Sequence, residues 1–238
     1  MLGRLADLWR AYRRSRALPW VEVALTGDLG RELHRQFTRS HRRWLIIPQK
    51  VYGVALMRLP PAPGQVLQGG HRQALRTNRS RALRAGYQVR PFDPLADRQA
   101  IDAIYASLPS RQGKAMQVDA AEDLRLANLH RDCYLGVYGP DGALAAFSCC
   151  PTSGELAVYR SFVGHRDHRR QGIMYLLHAA VVDRLAGGGP AWLMYEGYLG
   201  QTRGMQYFLD RCGFAPVNVR WRLAPSAATA QARASASR

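Results

Sequence analysis

Apolar residues along this chain come in short runs. Their spacing switches between continuous or two-residue runs and three-to-four-residue periods, with Gly- and Pro-rich breaks between them. Short β-branched and aromatic runs predict strands, and apolar positions three, four and seven apart predict helices. The first part reads as a strand over 20–25, a helix over 29–38, and strands over 44–47 and 51–59. Pro60-Pro61-Ala62-Pro63-Gly64 then breaks the pattern. A helix over 71–85 follows, closed by Gly86 at its C-terminal end. Arg72, Arg76 and Arg79 share one stripe of it, and Leu75 and Leu83 mark the side expected to be buried.

From Tyr87 onward strands and helices alternate. A strand over 87–92 precedes helices over 95–107 and 120–130. Strands over 134–138 and 143–150 form a hairpin across Gly139-Pro140-Asp141-Gly142, a strong turn sequence. A strand over 156–163 leads to a helix over 173–185, whose Ile173, Leu176, Leu177, Ala180, Val181 and Leu185 are expected to face the core. Gly187-Gly188-Gly189-Pro190 ends it. A strand over 192–195, a helix over 205–212 and a strand over 217–223 complete the series. The Ala- and Ser-rich stretch over 225–238 is expected to be disordered.

Two details of composition change this picture. The formal net charge is +17, and of 34 basic residues only Lys50 and Lys114 are lysines. Arg pairs with phosphate through two parallel hydrogen bonds, so a phosphorylated cofactor, RNA or anionic lipid is a candidate partner. General solubility and a GC-rich coding bias explain the same charge without a partner. The segment 1–17 reads as a basic amphipathic helix, with Leu2, Leu5, Leu8, Trp9 and Tyr12 on one face and arginines on much of the rest. Such a helix either packs on its own protein or makes peripheral contact with an anionic membrane. No stretch has the roughly 20 apolar residues of a transmembrane segment, and no secretory signal pattern is present. Cys133, Cys149, Cys150 and Cys212 lack metal-ligand spacing, so reduced cysteines in a cytoplasmic protein and no metal site are expected. Adjacent Cys149 and Cys150 on a strand should face opposite sides.

The densest cluster of candidate chemistry is His168-Arg169-Arg170-Gln171-Gly172-Ile173-Met174, between a strand and a helix. A basic, Gly-containing turn opening a helix presents N–H groups at a positive dipole end and can hold phosphate. Some 35 residues on, Phe208-Leu209-Asp210-Arg211-Cys212-Gly213-Phe214 reads as a helix end entering a strand. Together these motifs resemble the GNAT acyltransferase family. Its pyrophosphate arm reads Arg/Gln-x-x-Gly-x-Gly/Ala and is followed by a Phe/Tyr-x-x-x-Gly-Phe helix end. The match here is Arg169-x-x-Gly172-x-Met174, with Met in place of the second small residue. The resemblance spans 87–224 and implies an α/β (α+β) fold with a mixed, mostly antiparallel central sheet flanked by helices. Residues 1–86 are then an N-terminal extension, with 20–60 a candidate degenerate copy of the same fold. A second likeness lies in Arg76-x-Asn78-Arg79-x-Arg81-Ala82-x-Arg84-Ala85-Gly86-Tyr87-x-Val89. It is similar to an Arg-rich helix of the Fem-type and lipid-modifying aminoacyl transferases, GNAT relatives that use aminoacyl-tRNA. A solvated basic face explains it equally well.

The first resemblance implies N-acyl transfer, with acetyl-CoA or another acyl-CoA as co-substrate. Arg169, Arg170, Gln171, Gly172, Ile173 and Met174 would bind its pyrophosphate, with charge added by Arg166. Backbone N–H groups near Phe162 and Val163 would polarise the carbonyl. Glu155 and Glu196, at the ends of two strands, are the candidate bases. The family often supplies a Tyr as acid at a position that falls here on Phe208 or Leu209, neither of which can donate a proton. Tyr198 beside Glu196, Tyr207 and Tyr159 are the substitutes, each also readable as a packed aromatic. Lys114, in a polar loop, is a candidate substrate contact. Three functions fit: an acyl-CoA N-acyltransferase acting on a small-molecule or anionic amine, a tRNA-dependent aminoacyl transferase, or a silent GNAT-like binding module.

Overall fold

The structure is a computed structural model that describes residues 13, 15–41, 44–108, 110–111, 114–115, 120–130, 133–199 and 201–224. The segment 1–12, most of the expected amphipathic helix, and the tail 225–238 lie outside the described residues. In chain order the strands are β1 Trp20–Leu25, β2 Ser40–His41, β3 Trp44–Pro48, β4 Val54–Arg58, β5 Gln88–Pro91, β6 Ser110–Arg111, β7 Lys114–Ala115, β8 Tyr134–Tyr138, β9 Leu144–Cys149, β10 Thr152–Ser153, β11 Leu156–Val158, β12 Ser161–Gly164, β13 Trp192–Gly197 and β14 Ala215–Leu223. The helices are α1 Gly27–Thr38, α2 Gln73–Arg84, α3 Arg98–Ala106, α4 Ala120–Leu129, α5 Ile173–Leu185 and α6 Arg203–Cys212.

The strands form two main sheets. A six-stranded sheet has the order β1-β14-β4-β13-β11-β10, and a four-stranded sheet the order β12-β9-β8-β5. Pairing is antiparallel except for β1 with β14 and β11 with β13. The fold is thus mixed α/β with helices flanking mostly antiparallel sheets.

Three expectations are corrected. The run over 156–163 is not one strand, because it breaks at Tyr159-Arg160 and its halves enter different sheets. The helix over 71–85 begins as a 3₁₀ turn, Gly70–Arg72, before α2. The buried side of α2 is Leu75 and Ala82, seven apart, while Leu83 is exposed. β4 lies between β13 and β14, so residues before 86 supply the middle of the six-stranded sheet.

α5 is the central helix. Ile173, Leu176, Leu177, His178, Ala179, Val181 and Val182 are all buried, so more than one face is covered. α2 packs along it, and β8 and β9 lie against it. At about 2 kcal/mol for each large apolar side chain removed from water, this helix anchors the larger core. That core takes Ala157, Tyr159, Leu193 and Tyr195 from one face of the β11–β13 pair. A second core takes Leu156, Val158 and Met194 from the other face and packs them under α1. Cys149 and Cys150 do part as strand alternation requires, into different clusters. Among the described residues no cysteine forms a disulfide, and no helix is long and apolar enough to cross a membrane.

Candidate functional site

The break at Tyr159-Arg160 builds the site. The Tyr159 N–H donates to Met194 O at 3.0 Å, which keeps the chain beside β13. One residue later the Arg160 N–H donates to Cys149 O at 2.9 Å, across to β9. Up to Val158↔Met194 the strands are partners; past it they diverge. β13 continues along β4 through an irregularity between Met194 and Gly197. The divergence opens a cleft on each face, and Tyr195 lines both.

The first cleft, about 350 Å³, lies between β12, the start of α5 and α6. Phe162, Tyr175, Tyr195, Met205 and Phe208 make it mainly aromatic and apolar, and Arg169 brings a cation to it. Ring centroids of Tyr175 and Phe208 are 5.0 Å apart, and those of Phe162 and Phe208 6.1 Å. Thr202 caps α6 by accepting from the Met205 N–H at 3.3 Å, which fixes the outer wall. Burial pushes the Tyr175 hydroxyl up to about 12, so it keeps its proton. The His165 N–H donates to Ala145 O, and antiparallel alternation then directs the Val163 N–H toward β9 and turns that of Phe162 to the cleft edge.

The arm begins as a 3₁₀ turn, Arg166–Gln171, pinned by the Tyr87 hydroxyl, 2.7 Å from His168 Nδ1. Gly172 adopts φ +82° and starts α5. A Cβ on it would fall on the carbonyl oxygen of Asn78 and lie 2.9 Å from that carbonyl carbon. Glycine is therefore required here by the backbone of α2. Tyr175 and Leu176 both donate to Gly172 O, which leaves Ile173 and Met174 at the dipole end. The Met174 side chain covers Gly164, where a Cβ would meet its Sδ at 2.6 Å. It thus occupies space in the cleft that a small residue would leave open. Arg170 and Gln171 are exposed.

The second cleft, about 240 Å³, is on the α1 face and is polar at its mouth. Alternation along β13 sends Tyr195 into the larger core and Glu196 to the opposite side, where it lines this cleft. Arg160, Glu122, Gln36 and Lys50 complete the mouth. Arg160 donates to Glu122 Oε1 at 2.6 Å and Gln36 Oε1 at 2.8 Å. Arg125 donates to the carboxylates of Glu122 and Glu32, and its hydrogen bonds hold Glu122 below the usual carboxylate range, aided by Arg160 and opposed by burial.

The remaining sequence candidates fall elsewhere. Glu155 lies at the far end of β11, its carboxylate accepting the Ala24 N–H at 2.8 Å, and lines neither cleft. Tyr198 donates to Asp210 Oδ1 at 2.7 Å; burial and then that carboxylate push it up to about 12, so it is a poor proton donor. Tyr207 is exposed beneath the Arg211 guanidinium, 4.9 Å from its ring centroid. Tyr159 is buried, with its hydroxyl 3.1 Å from His178 Nδ1. The opposite nitrogen, Nε2, lies 3.0 Å from Cys212 O. Since the carbonyl can only accept, Nε2 carries the proton and Tyr159 donates to Nδ1. The side chain of Lys114 lies outside the described residues. Two arginines of the 3₁₀ turn and α2 bond backbone: Arg76 donates to Leu67 O and Gly69 O, and Arg72 to Arg211 O.

Sequence reasoning missed Tyr195, Tyr175, Lys50 and Glu122 as lining residues. One available signal was Arg160, a charge inside an apolar run, which marks where the strand splits.

No family model matches the chain, and no curated protein does. Similar solved structures include L-PGS from Bacillus licheniformis, 14% identical, covering 70% of this chain and 57% of that one at TM-score 0.52. FemX is 10% identical, with 68% and 59% covered at TM-score 0.52. A conserved protein of unknown function from Bacteroides thetaiotaomicron VPI-5482 is 15% identical, with 82% and 76% covered at TM-score 0.52. The chain spans less than two thirds of the L-PGS and FemX chains. The divergent β11–β13 pair, the arm and these likenesses give the chain a GNAT-like fold, shared with L-PGS and FemX.

Proposed function

We propose that this protein transfers an acyl group to an amine through the opening between β12 and β13. The observation that carries the reading is the pair of clefts meeting at Tyr195, one apolar with Arg169 beside it, the other polar with Glu196. The acyl donor takes the first cleft, and the amine approaches from the second. When the donor is an acyl-CoA it supplies the activated thioester. Arg169, Ile173 and Met174 face its phosphates, and the aromatic walls exclude water from the acyl group. The amine nitrogen forms the new amide bond as the C–S bond breaks. Glu196 takes the proton from the amine, and the departing thiolate takes one from water. Such a base contributes roughly 10²–10⁴ in rate.

A second donor, aminoacyl-tRNA, is favoured by Met174. Its side chain occupies the position where the acyl-CoA arm has a small residue, and the fold is shared with FemX and L-PGS. There the bond broken is an ester, and the leaving hydroxyl takes the proton. Calorimetry with acetyl-CoA and a long-chain acyl-CoA, beside filter binding with charged tRNA, separates the donors. Arg169→Glu is the control, since Arg169 is exposed and its loss spares the core. Saturable acyl-CoA binding lost in Arg169→Glu supports the thioester donor. Binding of charged tRNA alone, falling steeply with salt, supports the second. Binding of neither rejects acyl transfer.

A further inference from the structure

The polar cleft carries more information than a base. It contains two carboxylates and two cations, but they are not equivalent. Glu122 and Arg160 are bonded to each other, and Arg160 also holds Gln36. That pair is tied to α1 through Arg125 and Glu32. Lys50 and Glu196 are the charges left over: among the described residues neither side chain has an ion-pair or hydrogen-bond partner.

Lys50 is placed with care for an unpaired residue. Its N–H donates to Phe37 O at 3.0 Å, and its carbonyl accepts from Trp221 Nε1 at 2.6 Å. Trp221 is itself packed on Phe37, with ring centroids 4.7 Å apart. The backbone at Lys50 is thus fixed to α1 on one side and to β14 on the other. The chain has just one other lysine among 34 basic residues, so a lysine whose backbone is held this firmly at the edge of a cleft is not a random draw from its composition.

A lone ammonium and a lone carboxylate across one small cleft are the complement of a molecule carrying both charges. We infer that the acceptor is a zwitterion: a primary amine bearing an anionic group, carboxylate or phosphate, with the ammonium at Glu196 and the anion at Lys50. This rests on the acyl-transfer reading of the same site. A plain alkylamine would leave Lys50 facing nothing, and a polyamine would be repelled by it.

Acceptor binding without donor tests this independently of the donor. The probes are glycine, β-alanine and O-phosphoethanolamine, with ethylamine and propionate as single-charge controls, each titrated by ligand-observed NMR. One partly exposed charge pair yields about twofold to fivefold in affinity. At least one zwitterion should therefore bind that much tighter than either control. Lys50→Gln should remove the advantage over ethylamine, and Glu196→Gln the advantage over propionate. Preference for glycine or β-alanine assigns a carboxylate, and preference for O-phosphoethanolamine a phosphate. Ethylamine binding as well as every zwitterion, an advantage that survives Lys50→Gln, or no binding by any probe overturns the inference. Acetyl-CoA calorimetry on the same sample reports the donor reading separately.

Discussion

Gly172 is demanded by packing before it is demanded by any ligand, and that makes a sharp stability prediction. Ala at this position is penalised twice. Its backbone sits at φ +82°, which for an L-residue costs roughly 1–2 kcal/mol. Its Cβ would then strike the Asn78 carbonyl within α2, where the obstacle is helix backbone and cannot rotate away. Forcing such an overlap costs roughly 1–3 kcal/mol more. Gly142 is the matched control, at φ +79° with no atom within 4 Å of the place a Cβ would take, so Gly142→Ala carries the dihedral cost alone. Urea unfolding of the two variants should separate them by about 2 kcal/mol, with Gly172→Ala lower in midpoint at an unchanged slope. In thermal unfolding that gap is roughly 4–8 °C for a chain of this size. Equal destabilisation of both variants would refute the contact between the arm and α2. The same geometry bears on any test of the arm by a bulky Gly172 substitution, since lost activity there would report a displaced α5 as readily as a lost phosphate contact.

His178 is fully buried, and burial lowers its pKa to about 4 from 6.5, a shift opposed by its hydrogen bond to Cys212 and helped by Arg72. The native state refuses a proton that the unfolded chain accepts below 6.5. Its stabilisation is therefore complete above that pH and is lost as pH falls toward 4, by about 2 kcal/mol at pH 5. Urea midpoints at pH 7.5 and 5 should show this loss in the native protein and a smaller one in His178→Gln; equal losses would contradict the assignment. Asn218 is buried, accepts the Gly53 N–H and donates to Ser15 O and Leu18 O. Asn218→Leu leaves those groups unpaired and should cost roughly 2–4 kcal/mol by chemical denaturation. Thr202→Ala removes the cap of α6 and should cost about 1 kcal/mol. Because α6 walls the apolar cleft, donor affinity measured by calorimetry should fall with it.

Local order was largely legible in the sequence because it depends on neighbours along the chain. The Gly139–Gly142 turn gives its hairpin, and the spacing of Ile173, Leu176 and Leu177 gives α5 at its observed bounds. What could not be read depends on partners distant in sequence. Nothing local says that residues 54–58 enter between β13 and β14, because the pairing joins segments over a hundred residues apart. Leu83 fits the apolar period of α2 yet is exposed, since α5 reaches the helix along Leu75 and Ala82 instead. Of the site, the arm and Glu196 were visible as motif and strand end. Tyr175 and Lys50 were not, since each reaches its cleft by tertiary packing alone. Glu155 looked equivalent to Glu196, at the start of a strand rather than its end, but the clefts open only at the other end of β11.

The division of the site follows from one property of a strand: adjacent residues face opposite ways. Tyr195 and Glu196 are neighbours: Tyr195 packs in the aromatic core where the two clefts meet, and Glu196 lines the polar cleft alone. The arrangement depends on register. Leu193 and Met194 are fixed opposite Met57 and Leu56 of β4, and the irregularity that follows, between Met194 and Gly197, takes in Tyr195 and Glu196. A one-residue slip would bury Glu196 in the aromatic cluster and take Tyr195 out of it. Burying an unpaired carboxylate costs several kcal/mol, so the apolar core that demands Tyr195 on its side also keeps Glu196 on the other. The placement of the candidate base is thus enforced by packing, and Glu196→Gln should change turnover without changing the fold.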